Sequence, residues 1–504
     1  MATLALEITA SRLLGAIFGT SNLVWASIIG LILIYLTAGY FIGGKWADRS
    51  PNGHTMYRIL AWGGFAAGLV PLIAKPVLPI AAAAFDSLSF GVLAGSFVGV
   101  LILFAAPITL LGTMSPFAIR LAITDSRSAG TISGRIYAVS TLGSFVGTFL
   151  PVLFLIPLAG TPETFLVFSL LLVITALGGL WLHAGRQAAL KFAWMPILLL
   201  LSSLLWTSSP FKRSQGQIYE AESAYNYIEV LETEDDYVLL RLNEGQGIHS
   251  VYHPEIDYYF GPWMQFLAAP FFYPNTATAD VQRIAIVGLA AGTTARQASL
   301  AFGPVPIDGY EIDPHIIQVG IDYFQMDMAN LNAISADGRV GLNSTTATYT
   351  YIAVDAYKPP YIPWHLTTQE FFQIVFDHLD PNGTLAINVA RAHEDTQMLD
   401  GLVGTIGSVF PSVYVMDIPG TFNSIIYATR QPTRIADFGA NLDALEALEP
   451  ENRILLEAMR RVVDHQRPTP ISDVVFTDDW APIEWITNNM VLNYIAGGGV
   501  ENLE

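Results

Sequence analysis

From Leu23 to Phe41 the chain carries no charged side chain, close to the roughly 20 apolar residues that cross the hydrocarbon core of a bilayer. Comparable apolar segments lie near 3–19, 22–44, 58–74, 88–113, 132–158, 162–182 and 192–207, so about seven are expected before Pro210 in this chain of 504 residues. Beyond Pro210 the material changes. Residues 1–210 hold 10 Lys and Arg against 5 Asp and Glu, whereas residues 211–504 hold 14 against 38. Charged residues make up 13% of the whole, about half the ~25% of soluble domains. That excludes a wholly soluble protein, a disordered chain and a coiled coil. The acidic second part is long enough for a core of its own.

The first segment carries Glu7 and Arg12. Charges inside a span are costly, so these two are expected to neutralise each other or to contact neighbouring helices. Lys45, Arg49 and Arg58 follow the second segment, Arg120, Arg127 and Arg135 the fourth, and Arg186 and Lys191 the sixth, while the alternate loops hold only Lys75. The bias places those three loops in the cytoplasm. The seventh segment leaves the side of the acidic part open. If Phe192–Thr207 spans, that part emerges outside; Pro196 within it and Lys212 and Arg213 behind it favour a cytoplasmic end. No cleavable signal peptide is read, because no basic segment precedes the first apolar run.

There is no Cys, which removes disulfides, thiolate metal sites and a Cys nucleophile. His249, His253 and His365 lie outside any H-E-x-x-H pattern, so no metal site is expected. With so few basic residues after Pro210, no nucleic-acid partner is expected either.

Short strands are read at Tyr225–Leu231 and Tyr237–Leu242, a small β layer. From about residue 280 strands alternate with helices. Arg283–Val287 is a strand, Gly288–Gly292 a tight turn, and Thr293–Phe302 a helix. Further strands are read at Ile307–Ile312, Tyr349–Val354 and Thr384–Val389. This is the pattern of a doubly wound α/β sheet, in which ligands bind at the carboxyl ends of the strands. Gly288 and Gly292 let the backbone approach a ligand there. Glu311 ends the second strand, where a carboxylate accepts ribose hydroxyls. Asp337-Gly338 follows the next strand and Asp355 ends the fourth. The turn lacks the G-x-G-x-x-G of dinucleotide sites, so an adenosyl-sulfonium ligand such as S-adenosylmethionine is favoured over NAD. Asp437–Glu451 is expected to be an exposed helix.

The soluble half resembles the spermidine synthase (polyamine aminopropyltransferase) family. The whole chain is similar to the bacterial membrane proteins that fuse a multi-span domain to a spermidine-synthase-like domain. The segments that carry the resemblance are 222–228, 242–246, Tyr252-His253, 287–292, 309–313, Asp337-Gly338 and 354–363, with 478–482 near the end and 7–14 and 115–120 in the membrane half. The resemblance implies three parts: a helical membrane domain at 1–210, a small β-rich part at 211–275, and a Rossmann-like, methyltransferase-type domain at 276–504. It implies transfer of an aminopropyl group from decarboxylated S-adenosylmethionine to an amine. Asp355 would take the proton of the acceptor amine. Gln246, Gly288, Gly292, Glu311, Asp337, Gly338 and Pro363 would hold the nucleoside, Glu311 through its ribose and Asp337 facing the adenine. Tyr252, His253 and Tyr357 would line the substrate channel. The bilayer and a small amine or polyamine are the expected partners, and members of the family are often oligomers.

Three positions depart from the family pattern. Ala291 stands where an Asp grips the donor's aminopropyl ammonium, Lys358 replaces the second acid around the acceptor, and Tyr258 replaces a histidine. A lysine beside a diamine repels it. The adenosyl pocket is therefore better supported than putrescine specificity. Two alternatives stay open: a methyltransferase using S-adenosylmethionine itself, and a polyamine or nucleoside sensor or transporter-linked domain.

Overall fold

The computed structural model describes residues 1–19, 21–85, 91–123, 125–207, 212, 214–243, 247–259, 261–357, 361–391 and 395–496. The chain divides into two compact units: Met1–Gln215 with Glu220–Tyr227 and Asn243–Gly245, and Gly216–Tyr219 with Ile228–Leu242 and Gln246–Glu504.

The first unit is helical. Its helices are α1 (Ala2–Phe18), α2 (Asn22–Arg49), α3 (Gly53–Phe85), α4 (Gly91–Gly112), α5 (Met114–Ala122), α6 (Ala129–Leu150), α7 (Ile156–Ala159), α8 (Thr161–Ala184), α9 (Arg186–Leu190) and α10 (Trp194–Thr207). Among the described residues six stretches are long and apolar enough to cross a membrane: Val24–Arg49, Gly53–Ala82, Ala94–Ala122, Ala129–Ala159, Thr161–Ala184 and Arg186–Leu204. The first apolar segment of the sequence is not among them. With 17 residues at about 1.5 Å each, α1 falls short of a core about 30 Å thick. It packs instead against α2, α3, α4, α6 and α8, burying Ala5, Leu6, Ala10, Leu13 and Leu14. Arg12 donates to the carbonyl of Tyr225 within this unit, and no ion pair joins it to Glu7 among the described residues. Three prolines, Pro71, Pro76 and Pro79, lie inside α3. Membrane helices tolerate them where neighbours satisfy the freed backbone groups.

A small antiparallel layer follows, β1 (Gln217–Glu222), β2 (Tyr227–Glu232), β3 (Val238–Leu242) and β4 (Ile248–Tyr252), paired in that order. The main sheet of the second unit is built from β5 (Ile284–Val287), β6 (Ile307–Glu311), β7 (Leu331–Ser335), β8 (Tyr349–Val354), β9 (Leu379–Ala390), β10 (Ser412–Asp417), β11 (Asn423–Thr429) and β12 (Gln466–Arg467). Across the sheet the order is β7-β6-β5-β8-β9-β11-β10-β12. The first five strands are parallel, and β11 runs antiparallel between β9 and β10. The helices are α11 (Thr293–Phe302), α12 (Pro314–Phe324), α13 (Gly338–Ser344), α14 (Gln369–Asp377), α15 (Gln397–Gly407), α16 (Ile435–Leu448), α17 (Arg453–His465) and α18 (Ile483–Ala496).

The strands read as almost unbroken apolar runs because both faces are covered. One face packs on α11, α16, α17 and a 3₁₀ segment at Trp263–Phe272, through Ala295, Ala298, Phe438, Leu455 and Phe271. The other packs on α13, α14, α15 and α18, through Leu342, Phe371, Phe372, Leu402 and Ile483. This is a Rossmann-like, methyltransferase-type sheet joined to a small β layer and a multi-span helical part. The exposed helix expected at 437–451 is α16, most of whose residues are exposed. Phe438, Asn441, Leu442 and Leu445 of α16 are buried, because the acids occupy only its outer face.

Candidate active site

The order of the parallel strands reverses at β5, whose neighbours β6 and β8 connect in opposite directions, and a crevice opens at the carboxyl ends beside such a point. Val287 pairs with Val354, so the chain leaves β5 and β8 at the same level. The Asp355 amide donates to the Val287 carbonyl at 2.8 Å. Gly288 follows with φ +88°, and a Cβ there would lie 2.6 Å from the Asp355 carbonyl carbon. Only glycine fits both the left-handed backbone and the contact. At the far end of the turn Gly292 (φ +85°) starts α11, with Met326 filling the space of its missing side chain.

Asp355 is held from the next strand. Val354 pairs with Ile387, which brings Asn388 alongside, and its Nδ2 donates to Asp355 Oδ1 at 2.9 Å. Burial pushes the Asp355 carboxyl up to about 6, against the opposing effect of the Asn388 bond. The Tyr357 hydroxyl donates to the Asn388 carbonyl at 3.1 Å. Burial, and then the neighbouring Asp355, raise its pKa.

Glu311, 8% exposed, ends β6. Its Oε2 accepts from the Ala290 amide and its Oε1 from the Asp313 amide, each at 3.0 Å. Burial pushes this carboxyl up to about 7 despite both bonds. A carboxylate has about four acceptor sites, so two N–H bonds leave room for a pair of ribose hydroxyls.

The small β layer closes on the turn. Ser250 Oγ accepts from the Ala291 amide at 2.9 Å, and Thr293 Oγ1 bonds both the amide and the carbonyl of Val251 at 2.8 and 2.9 Å. These bonds fix Tyr252, whose ring has the Arg296 guanidinium 4.6 Å from its centroid. His253 is engaged elsewhere. Its Nδ1 accepts from the amides of Glu255 and Ile256 at 3.0 Å, and its Nε2 faces the Asp235 carbonyl at 3.0 Å. Both ring nitrogens therefore staple a turn.

Asp337 caps α13. Its Oδ1 accepts from the amides of Arg339 and Val340 at 3.0 and 3.1 Å, and its Oδ2 lies 2.7 Å from His365 Nε2. The His365 bond holds its pKa below the usual carboxylate range. Gly338 opens α13. Pro363 is half-buried, one residue before the 3₁₀ turn Trp364–Leu366 that carries His365. Arg339 binds Asp478 through two bonds of 2.7 and 2.6 Å, which ties the 478–482 segment to this edge. Tyr258 bonds Glu457 and Arg461 at 3.2 and 2.6 Å. Gln246 and Lys358 lie outside the described residues.

Gly288, Gly292, Glu311, Asp355 and Tyr357 thus gather about the ends of β5, β6 and β8, with Tyr252 over the turn. Asn388 was not singled out by the sequence. Its one signal was a polar side chain near the carboxyl end of an apolar strand. Ser250 and Arg296 gave none, since Ser250 meets Ala291 41 residues on and Arg296 meets Tyr252 44 residues back in the chain. Among the described residues no cluster of three or more His, Asp or Glu suits a metal ion.

A doubly wound sheet with an acid after its second strand and a small β layer against its first turn is the layout of an adenosyl-donor transferase fold. The chain belongs to the polyamine aminopropyltransferase, or spermidine synthase, family. Over 235 residues it is 30% identical to the polyamine aminopropyltransferase of Vibrio vulnificus, covering 44% of this chain and 75% of that protein. Over 293 residues it is 29% identical to a probable polyamine aminopropyl transferase of Bifidobacterium longum, covering 55% of this chain and 64% of that relative's length. A crystal structure of a probable spermidine synthase from Corynebacterium glutamicum superposes with a TM-score of 0.40 at 19% identity, over 47% of this chain and 88% of that one. No family model matches the sequence.

Proposed function

We propose that this chain is a membrane-anchored transferase that moves an aminopropyl group from decarboxylated S-adenosylmethionine to an amine. The observation that carries the reading is Asp355, with its raised pKa, tethered by Asn388 beside the Gly288–Gly292 turn. Glu311 binds the ribose, Asp337, Gly338 and Pro363 border the adenine, and Gln246 completes the nucleoside site. Tyr252 and Tyr357 line the amine's path, with His253 positioning the loop behind Tyr252. The amine nitrogen forms a bond to the propyl carbon next to the sulfonium. The carbon–sulfur bond breaks, its electron pair leaves with the sulfur as methylthioadenosine, and Asp355 takes the nitrogen's proton. Residues 1–210 anchor the chain in the bilayer, 211–275 supply the β layer, and 276–504 form the transferase domain.

A second reading has one observation in its favour. Ala291 is fully buried, with its amide on Ser250, so no carboxylate stands at that point of the turn to select a donor without its own. A donor that keeps its carboxylate, as in a methyltransferase, is compatible with that turn. The test is an assay of the full-length chain in detergent micelles, with putrescine and either donor. Methylthioadenosine formed from the decarboxylated donor is expected. S-adenosylhomocysteine from S-adenosylmethionine, with no methylthioadenosine from either donor, would overturn the first reading in favour of the second.

A further inference from the structure

Four of the ten tryptophans lie beyond Pro210. Trp263 is buried in the core, whereas Trp364, Trp480 and Trp485 are exposed by 46, 56 and 63%. One exposed apolar side chain needs no explanation, but a group of them marks a surface that something covers. Arg339 gathers this group. From α13 it donates to the His365 carbonyl at 3.1 Å and binds both oxygens of Asp478. One edge therefore carries Val340, next to Arg339, Trp364, next to His365, and Trp480, two residues past Asp478. The Trp480 ring stands edge-on to the buried Phe476 with centroids 6.0 Å apart. On α18, Ile483 and Ile486 are buried against the sheet and Trp485 is left outside. Ile471, in the segment leading to Phe476, is wholly exposed.

The charges around these side chains have one sign. Between Ile471 and Trp485 stand Asp473, Asp478, Asp479 and Glu484, with no Lys or Arg. Asp478 is taken by Arg339, and the other three are exposed. Indoles ringed by carboxylates fit the surface of a zwitterionic phospholipid membrane. Its outer layer is ammonium, which carboxylates attract and indole faces bind, and Trp concentrates at that depth. A second copy of this edge would set the same acids against each other, and an anionic leaflet would repel them. The bilayer is also within reach. Residues 208–216, between α10 and β1, span at most about 32 Å when extended.

We propose that this edge of the α/β part docks on the ammonium-rich surface of a zwitterionic bilayer, with Trp364, Trp480 and Trp485 in the headgroup layer. Val340 and Ile471 widen the apolar contact, and Asp473, Asp479 and Glu484 face the ammonium groups. His365, the neighbour of Trp364, bonds Asp337, so the docked edge is the one that bears the Asp337–His365 pair.

The test uses the full-length chain in lipid nanodiscs. With no native Cys, Val340→Cys places one fluorophore on this edge. Leu448→Cys places another at a 79% exposed site on α16, the helix packed on the opposite face of the sheet. The quencher is phosphatidylcholine with a nitroxide on its headgroup. In phosphatidylcholine discs the Val340 reporter should be quenched at least about twofold more than the Leu448 reporter, as an interfacial position requires. Discs of phosphatidylglycerol, with only a trace of the nitroxide lipid, should bring it down to the control at low salt. Trp480→Ser combined with Trp485→Ser should do so in phosphatidylcholine, with melting unchanged because both positions are exposed. Equal quenching of the two reporters in phosphatidylcholine would overturn the docking, as would quenching indifferent to the serine substitutions. Equal quenching of the Val340 reporter in the two lipids would overturn the role of the acids. A Val340 reporter shielded from aqueous iodide but not quenched by lipid, in particles holding two chains, would assign the edge to a second copy and overturn the proposal.

Discussion

At the scale of single residues, two buried acids carry the readings, and both have raised pKa values for the same reason. Burial costs the charged form more than the neutral one, which brings Asp355 to about 6 and Glu311 to about 7. A base works only when ionised, so kcat/KM should fall as pH drops through about 6. Asp355→Asn should remove both that limb and the turnover, while calorimetry with methylthioadenosine still reports binding. Equal loss of binding would reject the base role. In the proposed ribose role Glu311 acts best as the carboxylate, so donor affinity should rise as pH climbs through about 7. Glu311→Gln should weaken binding by about 1.5 kcal/mol or more, the scale of a hydrogen bond to a charged group, and flatten that pH dependence. The folded-state shifts also have a sign for stability. Both pKa values lie above the usual carboxylate range, so the stability they contribute is full below about pH 4. It is lost as pH rises through their folded values of about 6 and 7.

Secondary-structure elements set where those acids stand. The register of β5, β8 and β9 puts Gly288, Asp355 and Asn388 at one level. Gly288→Ala tests that alignment, since its Cβ would strike the carbonyl of Asp355. Strain of this kind costs about 1–3 kcal/mol, so the variant should melt earlier and lose turnover further than its stability loss explains. A variant with full activity would show that Asp355 tolerates displacement. Much of this scaffold was legible in the sequence. The helix at Thr293–Phe302 and the strand at Tyr349–Val354 stand where their apolar runs put them, because strong local periodicity and a glycine turn leave few alternatives. Strands β1, β4 and β10–β12 were not read.

The whole molecule joins an apolar helical part to an acidic α/β part, and its membrane topology decides whether the donor can reach the site. Adenosyl donors are made in the cytosol, so the proposed reaction requires that Arg186–Leu204, although long and apolar enough to cross, does not cross the bilayer. The acidic part is therefore expected on the cytoplasmic side, together with the Arg186–Lys191 loop. The absence of Cys makes the test clean. Single cysteines at the exposed positions Gln187 and Asp473 should resist an impermeant maleimide in intact cells and react after lysis. Labelling of Asp473→Cys from outside would remove the cytosolic donor supply and, with it, the proposed reaction.

What the sequence determined by itself was local: the apolar runs, the charge boundary near Pro210, the glycine turn, and the acids at the ends of predicted strands. Each depends on neighbouring residues and on the preference of apolar surface for an environment without water, so each can be read without coordinates. Tertiary structure decided the rest. It set α1 inside the helical bundle, committed both nitrogens of His253 to a turn, and made Asp337 a helix cap paired with His365. It also brought Asn388 against Asp355. The last two turn on hydrogen bonds between groups 28 and 33 residues apart. Spacing along the chain does not encode them, because only the register of the folded strands fixes which side chains meet.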